Sequence, residues 1–160
     1  MSTLILARVL HVLAVVLWIG GVAMVTTVLL PAIRRSHPPA ERFAVFHTLE
    51  ARFARQSRIT TAIAGLSGFY MTWQLDAWDR FSTAGFWWMH AMVCTWLIFT
   101  LMLFVLEPLF LERFLARRAA IAPEATYRLV EWLHRALLCL GLLTIAGAVA
   151  GSIGGNLFDW

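Results

Sequence analysis

The sequence predicts an all-α integral membrane protein, four helices crossing the bilayer and packed as a single bundle. Three observations predict it. Of 160 residues, 61% are apolar and only 14% charged, more apolar side chain than a soluble domain of this size has interior to bury. The apolar residues gather into four long runs, each near the roughly 20 residues that span about 30 Å of hydrocarbon. Eight Trp and eleven Phe lie largely near the ends of those runs, which suits aromatic belts at the membrane–water interfaces. The length fits one bundle and no second domain.

The first span covers about residues 9–33, with Pro31 near its end and Arg34 and Arg35 just beyond. It is too long for a signal-peptide core, lacks a basic leader and is followed by no small-residue cleavage site, so it reads as a retained helix. The second span covers about residues 59–75. An amphipathic stretch from about residue 40 precedes it, with Phe43, Phe46, Leu49 and Phe53 three and four apart, a helical period. This helix is therefore expected to begin outside the membrane, after a turn at Pro38 and Pro39. The third span covers about residues 83–111, with Pro108 near its end. The fourth covers about residues 129–155, and Pro123-Glu124 suits the start of the helix leading into it. Gly147, Gly151 and Gly155, like Gly65 and Gly68, predict close helix–helix contact. Trp87 and Trp88, with Trp78 and Trp160, are expected to anchor at the outer interface.

All thirteen basic residues are Arg, and the net charge is +4. Eleven of the thirteen flank the 1–2 and 3–4 connections, and only Arg8 and Arg80 lie at the other face. The positive-inside rule then puts the eleven in the cytoplasm and both termini outside. Arg that flank apolar runs speak for topology and against a nucleic-acid surface. Cys94 and Cys139 both fall inside apolar runs; no disulfide framework is expected, and both read as buried thiols. Glu107, beside Pro108, is expected to pair with an Arg where helix 3 leaves the membrane.

Ionisable groups inside a membrane are costly and so are candidates for function. His37 lies in the first connection and is given no role. The other four His fall one per helix: His11, His47, His90 and His134. His11 lies just past Arg8 at the outer start of helix 1, and His90 is roughly 10 Å into helix 3 at 1.5 Å per residue. Two imidazoles at one depth on facing helices suit axial ligation of haem iron in a bundle core. Ala14, Trp18 and Gly21 share the His11 face, small groups admitting a macrocycle and an indole to pack on it. The absence of a Cys-x-x-Cys-His motif makes the haem a non-covalent haem b. His47 and His134, near the cytoplasmic side, form a second candidate pair for a second haem. Their heights differ by about 10 Å on the same helical rise unless helix 2 is drawn into the bundle.

His11, Trp18, Gly20 and Gly21 form the pattern His-x6-Trp-x-Gly-Gly, which resembles the opening helix of the copper resistance protein D superfamily. That superfamily includes the haem-b-binding bacterial membrane protoporphyrinogen oxidases. The stretches Thr48-Leu49-Glu50-Ala51-Arg52-Phe53 and Trp88-Met89-His90 are similar to segments at the matching places in that oxidase family, and the four-helix order agrees. The resemblance implies a haem b held by His11 and His90. Ala91, Met92 and Val93 stand where the oxidases carry a Lys, and Thr26 and Thr27 where they carry an Arg. The resemblance thus implies haem binding more directly than porphyrinogen oxidation.

Three functions follow as expectations. The first is a small membrane cytochrome b, exchanging electrons with a quinone, a porphyrin or a redox partner protein. The second is copper handling, since thioether, thiol and imidazole all accept copper and His90 and Cys94 are one turn apart on one face, with Met89 and Met92 near them. The third is a non-catalytic assembly factor of a membrane complex. A homodimer is compatible with a bundle this small and rich in glycine.

Overall fold

In a computed structural model, residues 2–154 are described, and they are helical apart from short connections. Gly155 and Trp160, singled out above, lie outside the described residues. Four helices follow one another: α1 Thr3–Ser36, α2 Pro39–Gln74, α3 Ala84–Ile121 and α4 Pro123–Ser152. Three of them, α1, α3 and α4, are long and apolar enough to cross a membrane.

Local chemistry sets the ends and irregularities. Ser2 caps α1 by accepting from the Ile5 amide. Pro38 is extended, and Pro39 opens α2 where a missing N–H costs nothing. The two internal prolines are accommodated by wider turns: a π-helical segment Val25–Leu29 precedes Pro31, and another, Met102–Leu111, contains Pro108. Proline removes one helical hydrogen bond and its ring crowds the carbonyl four residues back, and widening the turn relieves both.

Two clusters form the core. Ala14, Trp18, Ile19, Val22, Ala64, Phe99 and Leu138 make one, and Trp18 meets Phe99 edge-on at 4.7 Å. Val25, Leu30, Ile33, Phe46, Leu115, Tyr127 and Val130 make the other, where the 1–2 and 3–4 connections come together. Polar groups tie that end. Arg34 donates to both oxygens of Glu131, at 2.8 and 2.7 Å, and to Glu124 at 3.0 Å. Arg42 reaches the other Glu124 oxygen, both guanidiniums lie over the Tyr127 ring, and Tyr127 Oη donates to the Leu30 carbonyl.

α2 is one continuous helix, and its first half belongs to the bundle: Phe46, Ala54 and Ser57 are buried. Phe43, Phe46 and Phe53 of the amphipathic period are used for this packing, against α1 and α4. Gly65 leaves room for the Trp96 ring, Gly147 for Trp87 and Gly151 for Trp88. These glycines are sockets for indoles, and Trp87 and Trp88 pack against α4 through them. Gly151→Ala places a methyl group against the Trp88 indole, and we expect a loss of about 1–3 kcal/mol, the usual cost of overpacking, read as a lower midpoint of thermal unfolding in detergent. Cys94 and Cys139 are free thiols. Both are exposed on the outside of the bundle, not buried as expected: the register of α3 and α4 turns other faces inward.

Candidate cofactor cavity

α1 packs most extensively along α2, and α3 along α4, while α1 and α3 stand across the bundle from each other. A cavity of about 580 Å³ opens between them, inside the ~300–1,000 Å³ range of small-molecule and cofactor sites. His11, Val15 and Trp18 of α1, Gly68 of α2, and Met89 and Met92 of α3 are among its walls. The lining is mostly apolar, so the few polar groups stand out.

His11 is fixed. Its Nδ1 lies 2.9 Å from the Ala64 carbonyl and 3.1 Å from Ser67 Oγ. A carbonyl only accepts, so Nδ1 carries the proton and Nε2 is left as a lone-pair donor. Metal-binding histidines are held in this way, one ring nitrogen donating to a backbone carbonyl while the other ligates. Ser67 Oγ donates on to Ile63 O at 2.6 Å, so it receives from His11. Gly68 completes the seat, since a Cβ there would lie 3.2 Å from His11 Cε1. Two indole N–H groups, those of Trp18 and Trp88, are buried on this cavity's walls without a hydrogen-bond partner in the protein. An unmet buried donor costs about 1–3 kcal/mol, which a ligand bearing acceptors would recover.

The other expected residues divide. Trp18 lines the cavity. Ala14 is buried in the core cluster beside it, and Gly21 packs against the Phe53 ring of α2. His90 is exposed, with its ring edge-on to Phe81 at 5.2 Å; Met89, one residue before it, is buried and faces the cavity. His47 and His134 do come together, on the wall of a second cavity of about 100 Å³. Their Nε2 atoms face carboxylates, His47 towards Glu112 at 3.3 Å and His134 towards Glu50 at 3.5 Å. Glu107 pairs with Arg58 at 3.3 Å, as its position implied.

Sequence reading missed Ser67, Glu50 and Ser57, and it considered Met89 only as a neighbour of a copper site. A signal existed for Glu50 and Ser57: with His47 they lie at spacings of three and seven, three polar residues on one helical face.

No protein-family model matches this chain, and no curated protein or solved structure matches it. Among the described residues, no group of three or more His, Cys, Asp and Glu is arranged to hold a metal ion.

Proposed function

We propose that this chain is a small membrane cytochrome b that would bind one haem b in the larger cavity, with His11 Nε2 as the residue that would hold its iron. The observation that carries the reading is the anchored His11: an imidazole with Nδ1 tied to a backbone carbonyl, set in an apolar cavity of cofactor size. Haem iron would supply one-electron transfer there. The chain's own residues do the rest. Ala64 O and Ser67 fix the imidazole tautomer, the apolar walls keep water from the ring, and the Trp18 and Trp88 N–H groups offer donors to carboxylate or carbonyl oxygens. Met89 faces the cavity where His90 was expected to; His47 and His134 ligate no metal in this reading. Electron partners would be a lipid quinone, a porphyrin or a redox protein. The resemblance to the copper resistance protein D superfamily agrees with haem and adds no substrate.

We place all four helices across a bacterial inner membrane, both termini outside. α2 supports a fourth crossing because it is pinned along α1, at His11 through Ala64 and Ser67 and at Gly21 through Phe53.

Copper is the second reading, favoured by Met71, Met89 and Met92 lining one cavity with His11, a soft donor set suited to Cu(I). Metal analysis of the purified protein separates the two. Ser67→Ala tests the seat itself. Losing a partner that orients a ligand costs about 10–100-fold in affinity; Ala64 O remains, so we expect the lower end, about tenfold, in a haem titration, with Ser67→Thr restoring it.

A further inference from the structure

A methionine stands across the larger cavity from His11, and the helix contacts show which one. α2 meets α1 at Gly68 against His11 and at Phe53 against Gly21, and it meets α3 at Gly65 against Trp96 and at Arg58 against Glu107. Both pairings are antiparallel, so α1 and α3 run in the same direction. These two helices touch where Trp18 meets Phe99, with ring centroids 4.7 Å apart.

Equal steps back from that contact reach equal depths. Seven residues before Trp18 is His11, and seven before Phe99 is Met92. Both stretches are regular α-helix, inside Thr3–Met24 and Trp87–Leu101. Seven residues rise about 10 Å and fall only about 20° short of two full turns. His11 and Met92 therefore share a depth, each on the face that its helix turns towards the other, and both line the cavity. A second route agrees. The step on α2 from Gly65, against Trp96, to Gly68, against His11, is matched on α3 by the one-turn step from Trp96 back to Met92.

The other sulfurs are placed differently. Met89 lines the cavity too. It lies one turn nearer the start of α3, and its ten-residue separation from Phe99 turns it about 80° from that face. Met71 belongs to α2, the helix whose Ala64 and Ser67 hold the His11 ring, so it stands beside the imidazole and not across from it.

We propose that Met92 Sδ is the second axial ligand of this site, across the cavity from His11 Nε2. The assignment rests on the haem reading of the cavity and deepens it. A thioether is a soft, neutral donor, and pairing it with an imidazole raises the reduction potential of haem iron. Two protein ligands leave no open position on the iron for oxygen or a substrate, so these residues suit electron transfer.

The test is the near-infrared and visible spectrum of the full-length, haem-loaded protein in detergent. The expected oxidised spectrum is low-spin and carries the weak sulfur-to-iron charge-transfer band that two imidazoles do not give. Met92→Leu keeps the side-chain volume; it should retain haem on His11, lose the band and turn high-spin. Met92→His should return a low-spin spectrum without the band and with a lower midpoint potential. Met89→Leu and Met71→Leu should keep the band. The first of these spectra needs no variant to fold. A haem-loaded unaltered protein without the band, a band that survives Met92→Leu, or one lost equally in Met89→Leu would overturn this assignment and leave the cytochrome reading standing. A colourless protein would overturn both.

Discussion

His11→Ala is expected to abolish haem binding, and His90→Ala to leave it in place. The two imidazoles were equivalent candidates by depth, and the fold separates them. His11 is half-buried in the cavity wall, with Nδ1 held by Ala64 O and Ser67 Oγ. His90 is exposed beside Phe81, and its neighbour Met89 occupies the cavity wall. The check is haem content for each protomer after purification of both variants with the unaltered protein alongside. Near-complete loss for His11→Ala with retention for His90→Ala supports the assignment. Equal loss in both would mean that α3 turns by about one residue when haem is bound, bringing His90 inward.

The second large effect is structural. Glu131→Ala removes the carboxylate that receives both forks of Arg34, 97 residues away in sequence. Glu131 is buried, with its side chain 9% exposed, whereas the Arg34 side chain is 34% exposed. The cost therefore falls between the ~0–1 kcal/mol of a surface pair and the ~3–5 kcal/mol of breaking a fully buried one. We expect about 2 kcal/mol, read from the detergent-unfolding midpoint. Arg34 keeps Glu124 at 3.0 Å, so the Arg34→Ala and Glu131→Ala losses should not add in the double variant.

The helices were legible in the sequence because they are written in long apolar runs, in Pro and in the placement of Arg. Helix identity and order came out of the pattern, and so did the Glu107 pairing with Arg. What the pattern could not supply was rotation. Whether Met89 or His90 faces inward is a turn of about 100° about the helix axis, the angle between successive residues at 3.6 per turn. In an apolar α3 every face looks alike, so no hydrophobic stripe fixes that angle. The same blindness put Cys94 and Cys139 inside. In α2 the amphipathic period announced a helix, but only the fold shows that Phe46, Ala54 and Ser57 bury its first half against the bundle. That packing is what brings His47 and His134 onto one cavity wall despite the height difference reckoned from sequence. The Arg34–Glu131 clamp was invisible because charges so far apart in the chain are paired only by the fold.

The central claim is that the larger cavity is a haem b site built on His11, and the absorption spectrum of the purified protein in detergent, oxidised and dithionite-reduced, tests it most directly. The account predicts a Soret band with sharp reduced α and β bands, and a pyridine haemochrome count of one haem b for each chain. A colourless protein after expression with excess haem would contradict it.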